Sequence, residues 1–358
     1  MLLTETVNKI GMLDDVAMAQ AKERMDSLIK PPGSLGQLEQ IALKLAGILG
    51  QPRPRIGKRA VIVMAGDHGV TDEGVSAAPR DVTWQMLPAF INGVAGIGVL
   101  ARHAGASITV VDVGVAADVD IPGVLKRRVK AGTGNIAAGP AMTRDEAVAA
   151  LEVGIEVARA EIERGATLLA LGDMGIGNTT PSSAILAVLG GYSVNDVTGR
   201  GTMINDEVLD KKRRAITRAL EINRPDPADG VDVLAKVGGL EIAGLAGVVL
   251  GCAANRVPVV VDGFITGAAA LIAAAIKPES KNYMLASHLS GEPGHGLMLE
   301  LLGLTPLLHM GMRLGEGTGA ALAMHIIDAA CRVLDEMVTF QEAGVMDMDE
   351  EKLLQEHR

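Results

Sequence analysis

The sequence predicts an α/β fold, a three-layer α/β/α domain built on a mainly parallel sheet, with a small helical domain beside it. Three observations lead there. Short β-branched apolar runs alternate with helical stretches through most of the chain, which implies parallel strands covered on both faces. The 44 glycines among 358 residues cluster after those apolar runs and are not spread as a linker. Two helical stretches precede the first strand and so can pack apart from the sheet.

Residues 4 to 29 read as one helix, because Val7, Ile10, Leu13, Val16, Met25, Leu28 and Ile29 recur at helical spacing. Lys30-Pro31-Pro32-Gly33-Ser34-Leu35-Gly36 breaks it. A second helix over Gln37 to Leu49 ends at Gln51-Pro52-Arg53-Pro54-Arg55. The strand Arg59 to Ala65 exits into Gly66-Asp67-His68-Gly69, and a helix over Val82 to His103 follows. The strand Ser107 to Val111 exits into Asp112-Val113-Gly114, and Leu125 to Lys130 reads as a further short strand. Thr143 and Glu146 have the spacing of a capping box and open a helix to Arg164. The strand Thr167 to Leu171 exits into Gly172-Asp173-Met174-Gly175-Ile176-Gly177-Asn178-Thr179-Thr180. Helices follow near 181 to 190 and 205 to 221, then two more over Asp229 to Asn255, split at Gly238-Gly239. Val257 to Val261 is a strand leading into the helix Gly263 to Ile276. Asn282 to Ala286 is a strand exiting into Ser287-His288-Leu289-Ser290-Gly291-Glu292-Pro293-Gly294-His295. Leu307 to Met310 is the last strand expected, followed by Gly315-Glu316-Gly317-Thr318-Gly319 and a helix to Val338. Asp347 to Arg358 is a polar tail.

In an open parallel sheet, ligands bind beyond the carboxyl ends of the strands. Here nearly every strand exits into glycine plus a few polar groups: Asp67 and His68, Asp112, Asp173 with Asn178 and Thr179, Asp262, the His288 to His295 stretch, and Glu316. One such exit is a turn. Six on one edge describe a site.

Composition narrows its partners. Lys plus Arg is 33 against 43 Asp plus Glu, a net charge of −10, which argues against a nucleic-acid surface. Six aromatic residues leave little ring surface for base stacking. Cys252 and Cys331 lie in apolar context without a metal-type spacing, the pattern of buried thiols in a reducing compartment. The longest uncharged apolar runs, Ile242 to Ala254 and Phe264 to Ile276, have 13 residues each, below the roughly 20 of a membrane span. With a start that lacks a signal-peptide pattern, the expected location is the cytoplasm.

Walker A, HExxH, GxSxG and EF-hand patterns are all missing, and Gly315 to Gly319 does not follow the dinucleotide GxGxxG pattern. Gly175 to Pro181 has two readings. Glycine-loop amides at a helix start suit a phosphate, and the same stretch suits a plain turn with an Asn or Thr cap. Asp67-His68 reads better as hydrogen bonding that organises the loops than as a metal pair. Ser290, His288 and His295 read better as polar contacts than as a nucleophile with its base. Glu316 is either a helix N-terminal anion or a general base whose acidity is weakened by an apolar pocket.

Together, in order, these stretches resemble the nicotinate-nucleotide:5,6-dimethylbenzimidazole phosphoribosyltransferase family, which makes the α-ribazole phosphate of the cobalamin lower ligand. The matching segments are Lys30 to Gly36, Gly66 to Val70, Gly74-Val75-Ser76, Val111 to Gly114, Gly172 to Thr180, Gly199-Arg200-Gly201, Val261 to Phe264, Ser287-His288 with Gly294-His295, and Gly315 to Gly319. The resemblance implies transfer of the 5-phosphoribosyl group from nicotinate mononucleotide to 5,6-dimethylbenzimidazole with inversion at C1′, without cofactor or metal. It implies Glu316 as catalytic base. Asp173 stands where the family commonly has Glu, and the resemblance implies it as a second catalytic carboxyl, whose shorter side chain still polarises the pocket. It further implies nucleotide contacts from Gly175, Ile176, Gly177, Asn178, Thr179, Thr180, Lys212, Ser290 and Gly291, and a base pocket of Ser76, Gln85, Met86 and Leu314. Its fold is a Rossmann-like α/β domain, here 56 to 325, with a small helical domain from residues 1 to 55 and 326 to 358, in a homodimer. The competing readings are a nicotinamide- or flavin-dependent oxidoreductase and a nucleotide-sensing or carrier protein. The missing GxGxxG weighs against the first and Glu316 against the second.

Overall fold

The computed structural model describes residues 1–201 and 204–346. The expected tail from Asp347 to Arg358 lies outside the described residues. The chain divides into two compact units, Met1–Gly11 with Gly57–Ala323, and Met12–Ile56 with Met324 onward.

The first unit holds a six-stranded, all-parallel sheet in the order β3-β2-β1-β4-β5-β6. The strands are β1 (Lys58–Gly66), β2 (Ala106–Gly114), β3 (Leu125–Lys126), β4 (Ala166–Met174), β5 (Val259–Val261) and β6 (Met284–Ala286). β1 is buried from Ala60 to Gly66, as a central strand covered on both faces must be. Its alternate residues meet different layers: Met64 faces Gly244 of one helix, and Val61 faces the Gly317 turn. The chain winds outward from β1 through β2 to β3, then returns to place β4 on the other side of β1. That reversal is the topological switch point, where open α/β sheets bind ligands.

The helices are α1 (Leu2–Lys9), α2 (Asp15–Ser27), α3 (Gln37–Leu49), α4 (Val82–Ile91), α5 (Gly96–His103), α6 (Arg144–Glu163), α7 (Thr179–Gly190), α8 (Val194–Val197) and α9 (Asp206–Asn223). They continue with α10 (Gly230–Val237), α11 (Leu240–Ala254), α12 (Phe264–Ile276), α13 (Gly294–Leu302), α14 (Thr318–Glu336) and α15 (Phe340–Ala343). The Thr143–Glu146 capping box opens α6 as expected.

Three expectations are corrected. The stretch 4 to 29 is two helices, because Gly11 weakens the first and the Asp14 side chain caps α2 through the Ala17 amide at 2.9 Å. The stretch 82 to 103 is also two, broken where Gly93 takes φ +66° and the Arg102 guanidinium binds its carbonyl. That stretch is apolar enough over 22 residues to cross a membrane, but the break leaves helices of 10 and 8 residues. Leu307 to Met310 forms no strand. Leu308 makes a single parallel bridge to His288, and Gly311 at φ +65° turns the chain away.

The second unit contains α2, α3, α15 and the later part of α14. Arg24 ties its turns together by donating to the carbonyls of Leu334 and Met337. Lys30 and Glu39 form a buried pair at 2.9 Å across the Pro-Pro-Gly turn.

Candidate active site

Glu316 occupies unusual backbone. Gly315, Glu316 and Gly317 lie at φ +84°, +62° and +91°. Left-handed geometry costs a non-glycine residue on the order of 1 kcal/mol. The other two such residues among those described, Arg224 and Arg256, follow the ends of α9 and α11, where this geometry is ordinary. Glu316 instead precedes a helix. A Cβ on Gly172 would lie 2.4 Å from the Glu316 carbonyl oxygen, so the turn is pressed onto β4 where a glycine admits it. The side chain is 6% exposed, and its Oε2 accepts the Ile97 amide of α5 at 3.0 Å. Burial raises the Glu316 pKa, and the Ile97 N–H opposes that rise.

Two aspartates from neighbouring strand ends join it. Asp262, after β5, accepts the amides of Gly317 at 3.3 Å and Ala320 at 2.8 Å, which anchors the turn and the start of α14. Burial pushes Asp262 up to about 7 against those amide bonds, with the Glu316 charge adding to the rise. Asp173, at the end of β4, is pushed up to about 8 by burial and then by the Asp262 charge, against the Asn178 amide that donates to its Oδ2 at 3.0 Å. Two carboxyl groups that titrate near neutrality beside a third are a common property of active sites.

The loop Gly175 to Thr180 leads from β4 into α7. Asn178 stands at the N-cap position, but its side chain serves Asp173 and not the helix amides. Gly177 takes φ +86°. The amides of Ile176, Asn178 and Thr180 are used within the protein, by Thr83 Oγ1, Gly175 O and Gly177 O. Lys212 reaches in from α9. Its buried Nζ donates to Thr179 Oγ1 at 2.7 Å and to Gly199 O at 3.1 Å. Burial lowers its pKa to about 8 against the pull of Glu292. Ser290 and Gly291 lie across from this loop. The Ser290 amide donates to His295 Nδ1 at 2.9 Å and the Gly291 amide to Met312 O at 2.9 Å. A small cavity of about 80 Å³ touches Asp173, Asn178, Thr179, His288, Ser290 and Leu314 together. A larger one of about 580 Å³ adjoins it through Gly201, Glu292 and Arg313.

The other expected residues lie nearby with less contact. Leu314 is 58% exposed, and its side chain lies beside Gly96, the neighbour of Ile97. Gln85 is exposed and Met86 half-buried on α4. That helix touches the nucleotide loop through the Thr83–Ile176 bond. Ser76 is half-buried in the preceding loop, and its hydroxyl accepts the Ala78 amide at 3.2 Å. His68 pairs with Glu241 at 2.6 Å, and Asp67 accepts the Ala116 amide at 2.8 Å. His288 bonds to Ser287, its chain neighbour, at 2.9 Å. Ile97, Thr83 and Arg313 were not singled out from the sequence, and Asp262 was named there only as a strand-exit residue with no role of its own. Asp262 carried a signal, as an acid at a strand exit. Ile97 carried none, since its part is played by a backbone amide.

A phosphoribosyltransferase family model matches residues 10–345. The chain is 57% identical to the nicotinate-nucleotide–dimethylbenzimidazole phosphoribosyltransferase of Desulforamulus reducens, over 96% of this chain and 99% of that protein. It is 57% identical to the enzyme of that name from Chloroflexus aggregans, over 98% and 99%. The crystal structure of the corresponding Thermus thermophilus enzyme superposes with a TM-score of 0.89 at 49% identity, covering 94% of this chain and 100% of that one. The parallel sheet, the buried acidic group at its switch point and these matches together place the chain in the phosphoribosyltransferase family of nicotinate-nucleotide–dimethylbenzimidazole enzymes.

Proposed function

We propose that the protein transfers the 5-phosphoribosyl group of nicotinate mononucleotide to 5,6-dimethylbenzimidazole, in assembly of the cobalamin nucleotide loop. The observation that carries this reading is Glu316, a buried carboxylate in left-handed backbone at the ligand edge of the sheet. One benzimidazole nitrogen attacks C1′ as the C1′–nicotinate bond breaks. The bonding pair stays with the nicotinate nitrogen, which is thereby neutralised and needs no acid. The benzimidazole N–H proton goes to Glu316. One direct displacement inverts C1′ and gives α-ribazole 5′-phosphate. Burial supports the role of Glu316 by keeping its carboxylate basic enough to accept that proton.

The phosphate is taken by Lys212 and by loop amides that do not serve the loop itself, with Ser290 and Gly291 alongside. At neutral pH Asp173 holds a proton for much of the time, so it faces the ribose as a hydrogen-bonding carboxyl more than as a second charge. Leu314, Met86, Gln85 and Ser76 line the base pocket. A homodimer and a cytoplasmic location belong to the same reading, and sedimentation of the purified protein tests the first. The reaction is tested by incubating the enzyme with nicotinate mononucleotide and a panel of bases, then assigning the product anomer after chromatography. Equal amounts of nicotinate and α-anomer support the proposal. A β-anomer, or no nicotinate release with any base, would contradict it.

A further inference from the structure

One buried polar pair at the switch point has no part in the reaction as proposed. His68 leaves β1 and Glu241 opens α11, and Nε2 and Oε1 are 2.6 Å apart with the residues 1% and 0% exposed. Burying such a pair is a poor way to stabilise a fold, because apolar residues of the same volume do as well or better. Glu241 Oε2 also has no hydrogen-bond partner among the described residues, an arrangement that costs stability. The surroundings are cleared for it by glycines from three elements. A Cβ on Gly239 would lie 2.5 Å from His68 Cε1, and one on Gly66 would lie 3.1 Å from Glu241 Oε2. Gly175, the first residue of the nucleotide loop, rests on the pair itself. A Cβ there would stand 3.1 Å from His68 Nε2, 3.2 Å from Glu241 Oε1 and 2.5 Å from the Gly66 carbonyl.

We infer that the His68–Glu241 pair is a positioning device for phosphoribosyl transfer, fixing where the nucleotide loop starts after Asp173. The inference rests on the phosphoribosyl-transfer reading above. His68 and Glu241 are positioning residues, since neither lines the cavity that Asp173 lines and Gly175 rests on both. The groups facing Asp173 are Asp262 just after β5, Glu241 from α11, Glu316 from the turn before α14, and Asn178 from its own loop. His68 from β1 is the group paired with Glu241. The Glu241 charge is one of the three that push Asp173 upward. Removing it lets Asp173 ionise at lower pH.

The test uses Glu241→Gln, His68→Ala and His68→Gln in the full-length protein. Glu241→Gln should move the alkaline limb of the kcat/KM profile to lower pH. His68→Ala should weaken nicotinate mononucleotide binding in calorimetry about tenfold, and His68→Gln, whose amide can still donate to Glu241, should restore most of it. If all three fold with wild-type affinity and an unmoved limb, and only the melting temperature falls, the pair is merely structural and the inference is wrong. Should the variants fail to fold, the wild type still decides. Nicotinate mononucleotide should shift the His68 ring resonances by NMR, and unshifted resonances in a saturated protein overturn the inference. A wild type that binds the nucleotide but releases no nicotinate in the presence of any base overturns the phosphoribosyl-transfer reading instead, and the inference with it.

Discussion

A glutamate in left-handed backbone, flanked by two glycines in the same region, is held there by its surroundings. Asp262 grips the turn through the Gly317 and Ala320 amides, and Ile97 holds the carboxylate. Rigid placement of one weakly acidic carboxyl is what accepting the N–H proton of an attacking benzimidazole requires. Because the base acts as its anion and burial raises its pKa, kcat/KM should fall as pH drops through a value above the ordinary 4.5. A pH–rate profile with its acid limb at or below that value contradicts the assignment. Glu316 was legible in the sequence as a lone carboxylate among glycines and apolar residues. Its support was not, since Ile97 is 219 positions away and gives only its amide. Glu241 carried the same signal, an acid between Gly239 and the apolar run that begins at Ile242, and drew no notice because no motif surrounded it.

Among elements, the nucleotide loop shows most directly how backbone serves the site. Gly177 is left-handed, and a Cβ there would lie 2.8 Å from Thr71 Cγ2. Gly177→Val should therefore strain the loop and weaken nicotinate mononucleotide binding by tenfold or more, roughly 1–3 kcal/mol. Unchanged affinity in calorimetry would remove the loop from the phosphate site. The strand-to-helix order of this loop was legible from Thr167 to Thr180. The role of Asn178 was not, because cap and ligand-side readings share one sequence and differ only in where the amide points. Helix breaks were the least legible feature. Gly11 and Gly93 each stand in a stretch whose apolar spacing runs on past them, so periodicity joined what the backbone separates. Part of the glycine excess also has nothing to do with strand exits. A Cβ on Gly154 of α6 would lie 1.8 Å from the Gly244 carbonyl of α11, so the excess also lets two helices touch.

For the molecule as a whole, burial of so many acids at one sheet edge ties stability to pH. Asp173 and Asp262 have folded values of about 8 and about 7, far above 3.8, so the folded chain binds more protons than the unfolded one across that interval. Stability from these groups is full below 3.8 and is lost as pH rises through the folded values. His295, held near 3, works the other way, but above 6.5 it is neutral in both states. Between pH 6.5 and 8 the melting temperature of the ligand-free protein should therefore fall, and Asp173→Asn should flatten that fall. An equal slope in the variant, read by calorimetry, would remove Asp173 as its source. The order of strands and helices made the sheet and its ligand edge legible in advance. Which exits lie at the centre was not, because that depends on the reversal between β3 and β4, which no local pattern encodes. The central claim is that one carboxylate at that edge takes the proton in phosphoribosyl transfer, and Glu316→Gln tests it most directly. The variant should bind nicotinate mononucleotide with wild-type affinity in calorimetry and release nicotinate to 5,6-dimethylbenzimidazole on the order of 10²-fold or more slowly in a single turnover. Release at the wild-type rate would contradict the account.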